Sequence, residues 1–279
     1  MTAAVQLRRL GADPLLFESE SLGGLLHHAS RIDNYPGFPE GITGPALTAR
    51  LAEQVRRFRV RIEPVGAERL AWSARAGVFS LGTAERTYRV ERVIVASGTR
   101  PRPYSPALQA PRAVLDRLFD GIVPLRGKRD LRVAVIGGSD AAYDYALSLA
   151  GPNRVWLLQR SAAPRAIAPL VEAAGKHPGI SIEPDCAVRA FSLRRGAVRI
   201  DAVRRGKPVV LEVDAVVSAI GREPELKFIP PRLRPLIPTL EAAGRLWLAG
   251  DVVRGRMRQA SIAAGDGMRA AMELWDALC

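Results

Sequence analysis

The chain has 279 residues, of which 48% are hydrophobic, and it carries a formal net charge of +13 at pH 7. No apolar run approaches the ~18–20 residues that cross a membrane. The two cysteines, Cys186 and Cys279, form no C-x-x-C pair, which excludes a local redox dithiol and a zinc knuckle. The basic charge favours anionic cofactors or an acidic partner. Because the arginines are scattered and no aromatic–basic motif is present, nucleic-acid binding is not expected.

The chain opens with a predicted helix and strand that lead to an acidic residue. Residues 3–10 have a helical pattern that stops at Gly11, and residues 14–17 form an apolar run followed by Glu18. A carboxylate at the end of such a strand suits the ribose hydroxyls of FAD or NAD. Glu18 is therefore a candidate cofactor-binding residue.

A loop-rich stretch over residues 19–45 precedes an amphipathic helix. Gly23 and Gly24 permit close approach of the backbone to a ligand. The adjacent His27 and His28 point in different directions and do not form an i, i+4 metal-binding pair, so a solvent or loop role is expected for both.

The clearest dinucleotide signal lies in the middle of the chain. Residues 132–136 are a short β-branched run, and a helical pattern follows from residue 142. Strand, glycine turn and helix open a βαβ unit, in which backbone N–H groups and the helix amino end hold a pyrophosphate. The turn consists of Gly137, Gly138, Ser139, Asp140 and Ala141, followed by Ala142, with Ser139 where the second motif glycine usually stands.

The next strand, over residues 154–158, ends in basic rather than acidic residues. Gln159 and Arg160 follow it directly, and Arg165 lies five residues further on. Arginine suits a ribose 2′-phosphate, whereas a carboxylate would bind the 2′-hydroxyl. The sequence therefore predicts NADPH rather than NADH here.

The two halves of the chain repeat one plan. Two alanines, a helix and an apolar strand recur over residues 3–18 and 141–160, and each copy continues to a buried strand that ends at Gly98 or Gly221. In the first copy, the strand and glycine turn that should precede the helix, about 12–15 residues, have no counterpart. We expect a start placed too late or a truncated gene, and weaker FAD binding as a result.

The expected fold class is α/β, with two Rossmann-like dinucleotide-binding domains. Each has three layers, built from a parallel sheet and an antiparallel β insertion, and the second domain is inserted into the first. Proline-rich stretches at 101–111 and 230–238 mark the connections. The predicted domains are residues 1–104 and 230–279 for FAD, and residues 112–228 for NAD(P)H.

With this arrangement of domains and motifs, the sequence resembles the low-molecular-weight thioredoxin reductase family, within the pyridine nucleotide-disulfide oxidoreductase superfamily. The resemblance covers nearly the whole chain. It is carried by residues 34–39 (N-Y-P-G-F-P), 96–98 (A-S-G), the turn at 137–142, 250–251 (G-D), 258–260 (R-Q-A) and 264–267 (A-G-D-G).

The resemblance implies an FAD domain interrupted by an NADPH domain. Glu18 would bind the adenosine ribose of FAD, and Asp251 the ribitol chain. The isoalloxazine pocket would contain Gly23, Gly24 and Asn34; the flavin pyrimidine edge would meet Arg258, Gln259 and Ala260; further cofactor-binding residues would be Ser97, Gly98, Gly221 and Gly250. NADPH would use the turn at 137–142 with Arg160 and Arg165. No catalytic residue and no metal ligand is predicted.

One departure from the family bears on the reaction. Residues 113–130, where family members carry a C-x-x-C, contain no cysteine. We therefore expect hydride transfer from NADPH to the flavin, and electron transfer onward to an acceptor that is not an internal disulfide. A lone cysteine such as Cys279 gives only a mixed disulfide.

Two alternatives stay open: a ferredoxin– or flavodoxin–NADP reductase-like enzyme that uses its basic surface, and a non-catalytic NADP(H)-binding module or truncated reductase. The expected partners are a nicotinamide dinucleotide and an acidic electron carrier (ferredoxin, flavodoxin or thioredoxin-like), with no nucleic acid and no membrane. No signal peptide is visible, so the expected location is the cytoplasm. The resemblance implies a homodimer.

Overall fold

The computed structural model describes residues 1–104 and 110–278, and the chain divides into two compact units. Unit 1 comprises Met1–His27, Arg31–Arg100 and Glu223–Cys279, and unit 2 comprises His28–Ser30 and Pro101–Arg222. The division falls at residues 100–101 and 222–223, while the sequence predicts domain changes within 104–112 and 228–230. Part of the predicted connection at 101–111 lies outside the described residues, as does Cys279.

The helices have the following bounds: α1 (Thr2–Arg9), α2 (Gly44–Arg57), α3 (Asp140–Ala150), α4 (Ala168–Lys176), α5 (Ile237–Ala242) and α6 (Ala260–Asp276). The strands are β1 (Leu15–Phe17), β2 (Arg61–Glu63), β3 (Arg69–Ser73), β4 (Val78–Gly82), β5 (Thr87–Val90), β6 (Val93–Val95), β7 (Thr99–Pro101), β8 (Leu118–Phe119), β9 (Arg132–Ile136), β10 (Arg154–Leu158), β11 (Ile180–Glu183), β12 (Cys186–Arg194), β13 (Ala197–Arg204), β14 (Lys207–Val213), β15 (Ala215–Ser218), β16 (Arg222–Pro224) and β17 (Leu246–Leu248).

Unit 2 is built on one five-stranded parallel sheet with the order β11-β10-β9-β15-β8. Its central strand, β9, is apolar and β-branched, as expected for a strand covered on both faces. Val133 and Val135 pack with α3 and α4, whereas Ala134 and Ile136 pack against the antiparallel sheet β12-β13-β14. The alternation of side chains along β9 therefore separates the two outer layers.

In unit 1, the parallel strands form two separate pairs among the described residues. β1 pairs with β2, and β6 pairs with β17. Leu246 of β17 and Val95 of β6 pack against the antiparallel sheet β3-β4-β5, while Trp247 packs against α1 and α6. The predicted α/β class, with parallel strands and an antiparallel insertion in each half, is confirmed.

Helices α1 and α6 pack closely because Gly267 stands at their contact. A Cβ on Gly267 would overlap the Thr2 hydroxyl and lie 3.2 Å from the backbone nitrogen of Ala3. Glycine at this position therefore brings α6 against the start of α1. Over residues 1–104 and 110–278, no helix has the length and apolar character needed to cross a membrane.

Candidate functional site

The glycine turn of unit 2 lies between β9 and α3 and packs against the residue that follows β15. Ser139 is the N-cap residue of α3. Gly137 has a φ of +152°, and a Cβ on it would overlap the carbonyl oxygen of Ala219 and lie 2.9 Å from its carbonyl carbon. Only glycine permits this approach. The amino end of α3 thus opens at the carboxyl edge of the sheet, the position at which dinucleotide-binding folds hold a pyrophosphate.

The loop after β10 carries both predicted arginines and is hydrogen-bonded to the glycine turn. Arg165 donates its backbone N–H to the carbonyl of Gly138 at 2.8 Å, and Ile167 donates its backbone N–H to Oδ1 of Asp140 at 2.9 Å. Arg160 and Arg165 are exposed. Both guanidinium groups therefore belong to a loop that is fixed beside the amino end of α3.

Gln159 supports this loop, a role that the sequence pattern did not reveal. Its side chain is buried, with 2% exposure. Its Oε1 accepts a hydrogen bond from the Tyr143 hydroxyl at 2.9 Å, and its Nε2 donates to the carbonyl of Ala162 at 3.3 Å. The sequence signal for this role was a polar residue directly after an apolar strand. Such an amide is buried with the strand and must find hydrogen-bond partners.

A polar cluster in unit 2 was also not predicted. His28 is half-buried and its Nδ1 accepts the backbone N–H of Ile122 at 3.1 Å, in place of the expected solvent or loop role. The carboxylate of Asp144 accepts the backbone N–H of Ser30 at 3.1 Å and the Ser30 hydroxyl. Residues 28–30 lie far from unit 2 in sequence, so no local pattern could predict these contacts.

Burial changes the titration of this cluster. It raises the pKa of the Asp144 carboxyl above its usual range, although the two hydrogen bonds from Ser30 act in the opposite direction. Burial also raises the pKa of the neighbouring Tyr145 phenol. Both shifts follow from the cost of placing a negative charge away from water.

Glu18 occupies in unit 1 the place that Gln159 and Arg160 occupy in unit 2. It follows β1, and its Oε1 accepts the backbone N–H of Glu20 at 2.9 Å. Burial lowers the pKa of the Met1 amino group, and the negative charge of Glu18 partly opposes this shift. Glu18 therefore lies close to the amino end of α1. Strand end and helix amino end are neighbours in both units.

The two predicted loop glycines have different physical reasons. Gly23 has a φ of +99°, and a Cβ on it would lie 2.7 Å from the Thr48 hydroxyl, so packing against α2 requires glycine. Gly24 has a φ of +47° and has no atom within 4 Å of the Cβ position. Gly24 therefore leaves open space beside the backbone, as a ligand-binding loop does.

Asn34 and Gln259, predicted at the flavin, are brought together from distant parts of the chain. The Asn34 side-chain amide donates to Oε1 of Gln259 at 3.0 Å. Gln259 is the N-cap residue of α6, and Ala260 is the first residue of that helix, directly after Arg258. The predicted pyrimidine-edge residues therefore lie at a helix amino end, which favours negative charge.

Asp251 lies in a short 3-10 turn, Gly250–Val252, that is fixed to α6 by a buried carboxylate. Asp266 is 5% exposed and accepts the backbone N–H of Gly250 at 3.0 Å. It also accepts Nε of Arg254 at 2.7 Å and a second guanidinium bond from the same side chain. The Arg254 guanidinium holds the pKa of the Asp266 carboxyl below its usual range.

The remaining predicted residues follow strand β6 in unit 1 and strand β15 in unit 2. Ser97 donates its hydroxyl to the carbonyl of Glu225 at 2.6 Å, and Gly98 accepts the Glu225 backbone N–H at 3.0 Å. Gly98 has a φ of +64° with open space at its Cβ position. Gly221 has a φ of +120° and accepts the backbone N–H of Arg102 at 3.0 Å in unit 2.

Cys186 is a free thiol with no disulfide partner among the described residues. It is buried at the start of β12, and burial raises the pKa of its thiol. A buried thiol with a raised pKa is a poor nucleophile. No cysteine stands in the sequence near β8, where the C-x-x-C of the resembled family is expected.

Comparison with known proteins identifies the family. The model of the family described as pyridine nucleotide-disulphide oxidoreductase matches residues 1–267. The thioredoxin reductase of Mycolicibacterium smegmatis is 30% identical over 98% of this chain and 91% of its own length. The chain belongs to the pyridine nucleotide-disulphide oxidoreductase family. A bifunctional thioredoxin reductase/thioredoxin of Mycobacterium leprae is 33% identical over 98% of this chain, which spans 62% of that protein.

Two solved thioredoxin reductase structures have the same fold as this chain. Thioredoxin reductase of Lactococcus lactis, in its FR conformation, matches with a TM-score of 0.87 at 23% identity, covering 99% of this chain and 94% of that one. Thioredoxin reductase of T. acidophilum matches with a TM-score of 0.84 at 22% identity, covering 100% and 95%. The chain is a thioredoxin-reductase-like oxidoreductase, and the predicted cofactors FAD and NADPH are those of this family.

Each unit contains residues whose chemistry suits one of the two cofactors. Unit 2 offers a glycine turn, a helix amino end and two exposed arginines on one loop. Unit 1 offers an acidic strand end, open backbone at Gly24 and Gly98, and the Asn34–Gln259 pair.

Proposed function

We propose that unit 1 binds FAD, that unit 2 binds NADPH, and that electrons pass from NADPH to an acceptor outside the chain. One observation carries this proposal. Each unit places a helix amino end beside a charged strand end, and the charge is negative at Glu18 in unit 1 and positive at Arg160 in unit 2. The first suits ribose hydroxyls and the second suits a 2′-phosphate.

In unit 2, the backbone N–H groups of residues 138–140 and the Ser139 hydroxyl would hold the pyrophosphate of NADPH. Ser139 caps α3 without a side-chain hydrogen bond to the helix, so its hydroxyl is available. Arg160 and Arg165 would bind the 2′-phosphate from the loop that Gln159 and Asp140 fix. The Asp140 carboxylate accepts a backbone N–H, which offsets part of its charge next to the phosphates.

In unit 1, Glu18 would accept hydrogen bonds from the adenosine ribose, and Asp251 from the ribitol chain. Asn34, Arg258 and Gln259 would meet the pyrimidine edge of the flavin. Amide and guanidinium donors suit this edge, because the reduced flavin carries negative charge there. Ser97, Gly98 and Gly250 would let the backbone of unit 1 approach this cofactor, and Gly221 would do the same in unit 2 after β15.

The bound cofactors supply hydride transfer from the nicotinamide to the flavin. The chain determines where the electrons go next. Residues 113–130 contain no cysteine and Cys186 is buried, so a disulfide beside the flavin is not part of the route. We therefore assign an external acceptor, with a thioredoxin-like or other acidic electron carrier as the partner that suits the net charge of +13.

Reconstitution tests this proposal directly. The purified chain is incubated with FAD, passed through gel filtration, and examined for flavin absorption bands at ~370 and ~450 nm. Anaerobic mixing with NADPH and, separately, NADH then follows bleaching of the ~450 nm band. Retained flavin that NADPH bleaches faster than NADH supports the proposal. A protein that binds NADPH but retains no flavin is instead a nucleotide-binding module.

Acceptor assays then identify the partner class. NADPH-dependent turnover is measured with oxidised thioredoxin, with oxidised ferredoxin and with a small disulfide, each at low salt and at high salt. An acidic carrier should give turnover that falls with salt, because the attraction is electrostatic and screened over about 10 Å at 0.1 M. The homodimer and the cytoplasmic location stay predictions, and light scattering on the eluting protein tests the first.

A further inference from the structure

Asp266 and Arg254 form a partly buried ion pair, in which only the carboxylate is buried, and the pair acts on the segment of residues 250–259. Asp266 lies in the second turn of α6, and Arg254 lies four residues after Gly250. Three donors converge on the Asp266 carboxylate, two from the Arg254 side chain and one from the backbone of Gly250. One carboxylate therefore connects the start and the middle of the segment to a helix.

The segment is constrained at both ends. Gly250 has a φ of +76°, and a Cβ on it would lie 3.3 Å from the Ala263 side chain, so the turn packs on α6. Met257 donates its backbone N–H to the carbonyl of Arg254 at 2.8 Å. The far end enters α6 at Gln259, which accepts from Asn34. Asp251 and Gln259, the residues proposed to meet FAD, are thereby held at the two ends of a short closed loop.

A buried ion pair is weak evidence for stability, because desolvation of the charges offsets their attraction. In several proteins, such a pair instead selects one backbone conformation over its alternatives. The Arg254 side chain is 34% exposed, whereas the Asp266 side chain is 5% exposed. Asp266 therefore holds its position within α6, and Arg254 connects the segment of residues 250–259 to it.

We propose that Arg254 and Asp266 are a positioning pair that holds residues 250–259 in the conformation that binds FAD. This inference rests on the proposed assignment of FAD to unit 1. The pair itself does not touch the cofactor. It sets the backbone at Asp251 and the approach to Gln259, so that loss of the pair weakens FAD binding and loosens this segment without changing NADPH binding.

The test compares Arg254→Gln and Arg254→Lys with a matched control. Arg61→Gln removes another guanidinium of unit 1, which lies in β2 and pairs with Asp13, outside residues 250–259 and away from Asp266. Two quantities are measured: the FAD dissociation constant by flavin fluorescence, and amide hydrogen–deuterium exchange in the chain without added FAD. Asp266→Asn, measured in the same way, tests the other partner of the pair.

The expected result is an about tenfold weaker FAD affinity for Arg254→Gln, as for loss of one charge-assisted interaction. Arg254→Lys should restore part of the loss, and Arg61→Gln should match the unchanged chain. Exchange should rise at residues 250–259 and not at residues 69–90 of the same unit. NADPH affinity should be equal in all variants.

Each other outcome overturns a specific statement. If the unchanged chain binds FAD and Arg254→Gln binds it equally well, the positioning inference is wrong and the proposed function stands. If exchange rises throughout unit 1, the pair stabilises the fold and does not position a segment. If the unchanged chain binds no FAD, the assignment of FAD to unit 1 is wrong, and the inference is wrong with it.

Discussion

The two units repeat one plan and differ at the centre of the parallel sheet. In unit 2, β9 lies between β10 and β15, and Val133, Ala134 and Val135 have no exposed surface. In unit 1, β1 and β6 belong to separate two-stranded pairs among the described residues, and every residue of β1 is half-buried. A parallel strand that is buried on both faces also needs a paired strand on each edge. Among the described residues, β9 of unit 2 has both, whereas β1 and β6 of unit 1 each have one paired strand.

The difference separates two contributions to dinucleotide binding. The charged strand end is present in both units, as Glu18 and as Arg160. The glycine turn between strand and helix is present in unit 2 only, among the described residues. Unit 2 thus places a glycine turn and a charged strand end at one edge of its sheet, and the comparison with unit 1 concerns the charged strand end alone.

The largest effect is expected where unit 2 depends on glycine. Gly137→Ala places a Cβ against the carbonyl of Ala219 at a φ of +152°, which we expect to cost about 3 kcal/mol of unfolding free energy and to abolish NADPH binding. Urea unfolding and NADPH fluorescence measure both. Gly151→Ala is the control, because no atom lies within 4 Å of its Cβ position and its φ is −57°. Equal effects of the two substitutions would contradict the packing account.

The second effect contrasts two carboxylates, the buried Asp266 and the half-buried Asp144. The pKa of Asp266 is lowered by its arginine, so its stabilisation is present above the unfolded pKa of about 3.9 and is lost as pH falls through the folded pKa. Asp266→Asn should therefore cost about 2 kcal/mol at pH 7 and progressively less below pH 4. Asp144 has a raised pKa, so its contribution to stability is present below about 3.9 and is lost as pH rises through the folded pKa.

Asp144→Asn should accordingly gain stability relative to the unchanged chain as pH rises, within about 1 kcal/mol. Thermal midpoints of both variants and of the unchanged chain, measured from pH 3 to pH 8, give two difference curves. Their slopes should have opposite signs. Parallel curves would mean that Asp144 is stabilised as an anion by Ser30 to the same degree as Asp266 is by Arg254.

Most of the fold could be predicted from the sequence, because apolar periodicity and glycine positions are local signals. The strand–turn–helix at residues 132–150 and the arginines after β10 could be identified in this way. The supporting contacts could not. Gln159 and Asp266 act through partners that only the folded chain brings near, and residues 28–30 join unit 2 although they lie in the first part of the sequence.

The third prediction concerns cofactor preference in unit 2. Arg160→Ala and Arg165→Ala should each weaken NADPH binding by about tenfold, or about 1.4 kcal/mol, because a charge-assisted contact to the 2′-phosphate is lost. NADH affinity should change by less than about twofold, since NADH carries no such phosphate. Arg194→Ala is the control, because Arg194 is an exposed residue of the same unit at the end of β12. A parallel loss of NADPH and NADH affinity would place both arginines elsewhere on the dinucleotide.

The smallest expected effect is at the acidic strand end of unit 1. Glu18→Gln keeps an oxygen that can accept the Glu20 backbone N–H, but it removes the charge and one acceptor for the ribose hydroxyls. We expect FAD binding to weaken by about fivefold, or about 1 kcal/mol, because one hydrogen bond to a charged group becomes neutral. Glu20→Gln, exposed two residues away, removes the same charge without a ribose contact. If both variants weaken FAD binding equally, the loss follows from the change in net charge and not from a lost ribose contact. The comparison between the strand ends at Glu18 and Arg160 is then wrong.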